Sequence, residues 1–534
     1  MRNDDGHALR GRWRALGWHA DRTLAQTLAA AARERPGTRF HFYTELGEQH
    51  TSAAELLERA QRLAIGLHAA GVRTGDRFAV QMPTSIETAL LYLGALHLGA
   101  VLVPVVHIYG PAELGFILRQ SHARFLAVPA RWRQVDFLAR LSACGDLPAL
   151  ERVIVAGDAK PAPSHMTWSE LEEASARGDA IAPCAGPADD TALVLYTSGT
   201  SASPKGVRHS HNSVRAEWLT PFVDGHGPYY TPFPAGHIAG FNFLLRPFIT
   251  GTEMAFTDRW DAAQAAALIE RHRVRLSGGT PFHLQALLDA AQREGRDISS
   301  LPAYGLGGTG VAPEHVALAE ARGIRASRSY GLTEHSTVSV GWAAMSFERR
   351  ACSDGLVQPG TEVRIVDAHD RDLPAGEDGD ILVRGPETFV GYTDPTLDAE
   401  AFAPGGWFRT GDIGRLDADG HLTITDRRKD IIIRGGENIS SQEIERVLAT
   451  HPAVQDLAVV AMPDERYGEK VCAAVVLRAG AALDLPAVQA HFAVAGLARQ
   501  KTPEALLIVP DLPRTPTGKV RKAELRERLR AINP

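Results

Sequence analysis

Tyr196-Thr-Ser-Gly-Thr-Ser-Ala-Ser-Pro-Lys-Gly-Val207 follows an apolar run, Thr191-Ala-Leu-Val-Leu195. The run reads as a short buried strand. The loop after it is mostly Ser, Thr and Gly, with a single Pro and a single Lys. Small residues let backbone N–H groups approach a ligand closely, hydroxyls add donors, and Lys205 adds positive charge. That is the chemistry of a phosphate cradle. It is not a Walker A loop, in which Gly-Lys precedes Ser or Thr, because Lys205 follows Pro204 and precedes Gly206. Taken alone, the stretch also reads as a flexible surface turn.

Upstream of the cradle, helices alternate with short apolar runs. Ser52 can cap a helix running to Ala70, followed by a strand Arg77–Gln81. Helix Ile86–Leu98 with strand Ala100–Val103, and helix Ala112–Gln120 with strand Ala123–Val128, repeat the unit. This alternation predicts layered α/β structure with parallel sheets. The residues up to Ala20 are basic and Trp-containing, and read as a loosely attached lead-in. The Pro-, Ala- and Gly-rich stretch Gly157–Ala188 reads as a surface connection.

Downstream, the alternation continues to about Tyr330. From about Cys352, the short strands Val363–Asp367, Asp380–Arg384 and His421–Thr425 predict a small β-rich subdomain. A compact α+β segment of roughly a hundred residues ends the chain. The expected division is therefore a large unit over 1–426, with a β-rich subdomain over about 352–426, and a small α+β unit over 427–534.

At 534 residues, with 44% hydrophobic and 22% charged, the chain has the composition of a folded protein of several cores. A net charge of -6 gives no reason to expect nucleic acid as a partner. Cys144, Cys184, Cys352 and Cys472 lie at spacings that fit no metal or redox motif. They read as packing residues in a reducing, cytoplasmic setting. No apolar secretory segment opens the sequence. Thr88–Val106 lacks Asp, Glu, Lys and Arg, but Gly94, Gly99 and Pro104 interrupt it, so it reads as core and no integral membrane segment is expected.

Four further stretches carry local chemistry. Gly305-Leu-Gly-Gly-Thr-Gly310 lets backbone approach a ligand, or is a plain loop. Tyr330-Gly-Leu-Thr-Glu334 sets an aromatic ring, a hydroxyl and a carboxylate close together, and by itself reads as a helix start. Trp407-Phe-Arg-Thr-Gly-Asp412 ends in a carboxylate suited to vicinal hydroxyls, or in an ordinary turn. Leu512-Pro-Arg-Thr-Pro-Thr-Gly-Lys519 sets a Lys on a Pro-stiffened loop, and alone reads as a solvated Lys.

In this order, together with Asp426-Arg-Arg-Lys-Asp430, the motifs resemble those of the adenylate-forming superfamily, from about Leu24 onward. Its members are acyl- and aryl-CoA synthetases, luciferases and the adenylation domains of peptide synthetases. The resemblance implies that Thr197, Ser198, Gly199, Thr200 and Lys205 hold the β- and γ-phosphates of ATP. It implies that Tyr330 packs on adenine, Thr333 bonds the α-phosphate, and Glu334 ligates Mg2+. Asp412 would hold the ribose with help from Arg427, and Lys519 would reach both the substrate carboxylate and the α-phosphate. His237, Gly308 and Gly310 would border the acyl pocket, although His237 also reads as a satisfied core histidine. Lys429 would be the hinge of a mobile C-terminal unit, unless Asp426–Asp430 is only a charged linker. Gly435, Gly436 and Glu437 would face the CoA side.

The same resemblance implies two half-reactions. A carboxylate attacks the α-phosphorus of ATP and releases pyrophosphate, and a thiol then displaces AMP from the acyl adenylate. Catalysis by positioning and charge neutralisation would suffice. The stretches around His237–Phe243, Gly305–Gly310 and Gly331–Val338 carry few charges, so the expected substrate is a largely apolar acid, fatty, alicyclic or aryl, with CoA as the acceptor. Phe233–His237 offers no carboxylate to pair an ammonium, which argues against a free amino acid. No carrier domain follows Pro534 in the sequence. The alternative is a stand-alone ligase loading an acyl carrier protein. Ala202 and Asp380 stand where the family pattern has Gly and Glu, and Cys352-Ser-Asp-Gly355 departs from its Ser-Val-Gly-like stretch.

Overall fold

The computed structural model describes residues 3–157, 162–197, 204–220, 227–434, 437–464, 466–495, 499–515 and 518–532; for 3–7, 437, 438 and 530–532 it describes the backbone alone. Helix Ala53–Ala69 shows how local chemistry sets an element. The Ser52 side chain accepts from Glu55 N, and the Glu55 carboxylate accepts from Ser52 N, which closes a capping box. Helix Ile86–His97 is buried on every side, with only Glu87 of its twelve residues left out. That accounts for the charge-free run from Thr88 onward, since a helix face apolar all round must lie inside. Among the described residues, no helix is long and apolar enough to cross a membrane.

These helices pack against an eight-stranded sheet. Its strands run in the order Gly391–Tyr392, Gly206–Ser210, Thr191–Tyr196, Val101–Pro104, Arg77–Val80, Phe125–Pro129, Arg152–Ala156 and His165–Thr167. The last six are mutually parallel, and the first two are antiparallel additions. A nine-stranded sheet is built around parallel strands Arg39–Thr44, Met254–Thr257, Tyr229–Thr231, Leu276–Gly279, Ala303–Leu306 and Arg325–Leu332. An antiparallel five-stranded sheet over Glu362–Arg427 follows, as the run of short strands predicts. One short 3-10 turn, Arg428–Asp430, leads into a last sheet carrying helices Ser441–Ala449 and Lys522–Ile532. The fold is the expected layered α/β body followed by a smaller α+β unit.

Several expectations fail. The N-terminal stretch is not loosely attached: it forms helix Asn3–Ala15 with Trp13 buried, and His19 Nε2 bonds the Pro386 carbonyl at 2.8 Å. Arg12 pairs with Glu362, and Arg14 with Asp189. The Gly157–Ala188 stretch is more than a connection, since strand His165–Thr167 and helix Trp168–Arg177 extend the eight-stranded layer. Thr167 and Glu170 form a capping box there, a signal that the Pro- and Ala-rich composition masked. Tyr330–Glu334 is not a helix start but the end of one strand and the turn into the next. Cys144 and Cys472 are buried as packing residues, whereas Cys352 is exposed.

Candidate active site

The Ser/Thr/Gly stretch opens from an antiparallel strand pair rather than from a strand–helix junction. Tyr196 lies opposite Gly206. Thr197 N donates to the Lys205 carbonyl at 3.0 Å, and Lys205 N donates to Thr197 Oγ1 at 3.4 Å. Thr197 and Lys205 therefore clasp the loop's base; Ser198, Gly199, Thr200 and Ala202 lie outside the described residues. Gly206 is obligatory here, because a Cβ would come within 2.5 Å of Thr393 Oγ1 and 2.9 Å of Tyr196 Cζ. The Lys205 ammonium sits over the Tyr392 ring, 5.1 Å from its centroid.

Tyr392 then connects this cation to the carboxylate of Glu334, donating its hydroxyl to Oε1 at 2.8 Å. Strands Arg325–Leu332 and His335–Val340 pair with Leu332 opposite His335, which leaves Thr333 and Glu334 as a two-residue turn. His209 Nε2 holds that turn by donating to the Thr333 carbonyl at 2.7 Å. Burial pushes His209 down to about 4, so the ring stays neutral with one N–H to give. Glu334 is buried too, and burial raises its carboxyl above the usual range against the opposing Tyr392 bond and Lys205 charge.

Trp407–Asp412 belongs to a long strand, Trp407–Leu416, in which Asp412 faces Arg427 of the neighbouring strand. Asp412 is buried, and both of its oxygens are engaged. Arg427 Nε meets Oδ1 at 2.9 Å, and the Tyr330 hydroxyl donates to Oδ2 at 2.6 Å. Burial and the Asp412 charge push Tyr330 far above its usual range, so it remains a donor.

Lys519 approaches the same carboxylate from the C-terminal unit. Lys519 is half-buried, and burial, aided by Arg427 and Lys429, pushes its ammonium down to about 7. Asp412 and Asp430 oppose the shift. The loop is tied by Thr515 N to the Lys519 carbonyl at 2.7 Å and by Lys519 N to Thr515 Oγ1 at 3.1 Å. Gly518 has φ +80, and a Cβ there would stand 3.0 Å from Thr280 Oγ1 of the larger body. The lone motif's reading as a solvated Lys does not hold.

His237 caps helix Ile238–Leu245, with Nδ1 accepting from Ala239 N at 3.3 Å. Burial, with the Lys519 charge adding to it, pushes His237 down to about 4. Rings continue from it: Phe233 stacks on His237 at 6.0 Å and on Phe243 at 6.4 Å, and Phe243 stacks on Tyr229 at 4.8 Å. Gly308 adopts φ +78 beside Thr280, while a Cβ on Gly310 would meet the side chain of Gln442 at 3.6 Å. Gly310 thus lies at the junction with helix Ser441–Ala449.

Lys429 lies in the 3-10 turn between the two units, and its carbonyl accepts from Arg526 at 3.3 Å. Burial and Arg427 push its ammonium down to about 8. Arg428, beside it, donates through Nε to Asp380 at 2.9 Å. Gly435 and Gly436 lie outside the described residues, and Glu437 is described only as backbone paired with Arg434. Tyr330, Asp412, Arg427, His237 and Lys519 therefore form one cluster, and Lys205 and Glu334 meet through Tyr392. Sequence reasoning missed Tyr392, in a two-residue strand with no motif around it, and His209, just beyond the cradle motif in strand Gly206–Ser210.

A cationic, hydroxyl-rich rim beside a ladder of aromatic rings suits an anionic ligand with an apolar tail. The family comparison agrees with that arrangement. The AMP-binding enzyme family matches residues 28–393, and its C-terminal domain matches residues 443–519. The chain belongs to the AMP-binding enzyme family. The resemblance to adenylate-forming enzymes, drawn from motif order, is thereby borne out. This AMP-binding enzyme is 35% identical to a medium-chain fatty-acid–CoA ligase of Escherichia coli K12, over 97% of this chain and 92% of the relative. It is 32% identical to a salicyl-AMP ligase / salicyl-S-ArCP synthetase of Mycobacterium tuberculosis, over 96% of this chain and 91% of that one. The ATP-bound crystal structure of MatB from Rhodopseudomonas palustris superposes with a TM-score of 0.83 at 28% identity, covering 96% of this chain and 100% of that one.

Proposed function

We propose that this enzyme activates a largely apolar carboxylic acid with ATP and passes the acyl group to CoA. The observation that carries the reading is the Tyr330–Asp412–Arg427 clasp, with the Lys519 loop docked on the same body through Gly518 against Thr280. In the first step a carboxylate oxygen bonds the α-phosphorus as pyrophosphate leaves. Lys519, poised near 7, recovers full charge when two anions arrive beside it, and so offsets their mutual repulsion. Asp412 receives the ribose hydroxyls, oriented by Tyr330 and Arg427, and Thr197 and Lys205 hold the departing phosphates. Glu334 fits as a ligand for Mg2+, being a buried carboxylate joined to the Lys205 side through Tyr392. Bound with ATP, Mg2+ supplies charge neutralisation at the phosphate oxygens.

The acyl chain lies along the Phe233–Phe243–Tyr229 ladder, which has rings and no carboxylate to pair an ammonium. In the second step the C-terminal unit turns about Lys429, and the CoA thiol attacks the acyl carbon and expels AMP. A release assay for AMP and pyrophosphate over straight-chain, alicyclic and aryl acids, with and without CoA, tests the reading. Acid-dependent release accelerated by CoA is expected; release indifferent to CoA would overturn the thioester half. A second reading, transfer to a carrier protein, draws support from the similarity to the salicyl-AMP ligase / salicyl-S-ArCP synthetase. It predicts turnover with a phosphopantetheinylated carrier in place of CoA.

A further inference from the structure

We propose that His41, Glu253 and His272 form a binding site for a divalent transition metal of the zinc class, separate from the cluster around Asp412. His41 lies on strand Arg39–Thr44, Glu253 directly precedes strand Met254–Thr257, and His272 ends helix Ala262–His272. In this parallel sheet Glu253 and His272 mark the N-terminal ends of the strands. Thr280 and Gly308, near Lys519, follow the C-terminal ends of theirs. The two sites occupy opposite edges.

The donor atoms converge. Glu253 Oε1 stands 2.9 Å from His41 Nε2 and 3.8 Å from His272 Nδ1, and all three donors lie within 4.8 Å of one another. Tetrahedral bonds of roughly 2.0–2.1 Å to nitrogen or oxygen put ligand atoms about 3.3 Å apart, a value between the two separations to Glu253. Two imidazoles and a carboxylate are a common set for zinc with one open position.

What lifts this group above an ordinary polar cluster is the engagement of the far side of each ring. His272 Nε2 bonds the Tyr43 hydroxyl, and His41 Nδ1 bonds His50 Nδ1 at 2.8 Å. Such outer partners hold each ring in place, as the second shell of a metal site does. The nearby cation Arg271 is occupied by Glu48 through two bonds of 2.7 and 2.8 Å. Glu253, with its side chain 34% exposed, leaves a path for the ion and a water as fourth ligand. The ion would tie together segments more than two hundred residues apart.

The test uses the full chain stripped with a chelator and titrated with Zn2+, or with Co2+ as a visible probe. One equivalent should bind, with Co2+ absorption of a low-symmetry, four-coordinate kind, and Zn2+ should raise the melting temperature. Glu253→Gln and His272→Gln should each weaken Zn2+ binding by about tenfold or more, and Tyr43→Phe by about tenfold. The group Asp417, Asp419 and His421 is the competing site among the described residues. Asp417→Asn with Asp419→Asn should leave the Co2+ spectrum unchanged. The proposal is overturned if binding survives Glu253→Gln and His272→Gln together, or vanishes with the Asp417 pair instead. If Glu253→Gln fails to fold, Tyr43→Phe, which leaves all three ligands in place, decides the matter by the same titration.

Discussion

The hydroxyl of Tyr330 donates to Asp412 across 2.6 Å, which joins a strand of one sheet to the central strand of another. Arg427 completes the clasp from the other oxygen at 2.9 Å. Removing the hydroxyl in Tyr330→Phe leaves a buried acceptor short of one donor, which costs about 1–2 kcal/mol of stability. Urea unfolding should show that loss, and the KM for ATP should rise more than kcat falls, because Asp412 is left less firmly aimed at the ribose.

Lys519→Ala removes the enclosed cation between the two reacting anions. Adenylate formation should slow by on the order of a hundredfold or more, as when a preorganised charge-stabilising group is deleted. Thioester formation from chemically prepared acyl adenylate should proceed near the wild-type rate. Equal damage to both half-reactions would refute a role confined to the first.

The depressed Lys519 also makes stability depend on pH in a definite direction. Below about 7 both folded and unfolded chains carry the proton, and the burial cost is fully present. Between about 7 and the ordinary lysine range only the unfolded chain carries it, so stability rises with pH, by at most about 1.4 kcal/mol per unit. Lys429, pushed down to about 8, adds a slope of the same sign over a narrower window. Urea midpoints at pH 7 and pH 9 should differ less in Lys519→Met than in the wild type.

Tyr392→Phe withdraws the donor that favours the ionised form of Glu334. The carboxyl already lies above its usual range, so losing this bond raises it further. The acid limb of kcat/KM should move to higher pH, and half-saturation should need more Mg2+. A pH–rate profile at two Mg2+ concentrations reads both effects.

Lys429→Pro stiffens the 3-10 turn through which the chain leaves the five-stranded sheet. Transfer to CoA should fall further than pyrophosphate exchange does, if the turn is the pivot. An unchanged overall rate would place the pivot elsewhere.

How much of this was legible depended on whether the signal was local. The helix from Ser52, the strand leading into the cradle and the strand from Arg77 follow from capping chemistry and apolar runs, and the structure reproduces them within a residue or two. The charge-free segment around Leu90 was legible as core because glycines and a proline broke it. Tyr330–Glu334 failed as a helix start because its conformation is set by pairing, with His335 lying opposite Leu332 and His209 reaching in from another sheet. Gly331 has the same cause: a Cβ there would meet the Ser336 carbonyl oxygen at 1.9 Å, a constraint invisible without the partner strand. Tyr392 went unread for a related reason. Its two-residue strand has no period to detect, and its function rests on contacts with Lys205 and Glu334, which lie far away in sequence.

The left-handed Gly518 leaves no more than a hydrogen's clearance between the Lys519 loop and Thr280. A side chain at that position would strain the left-handed turn before Lys519 as well as press the loop away from Thr280. On the proposed rotation about Lys429, Gly518→Ala would disfavour the docked orientation while keeping every charged side chain, at the cost of a strained turn. A graded series of spacers would convert the timing of the two half-reactions into something a chemist can set.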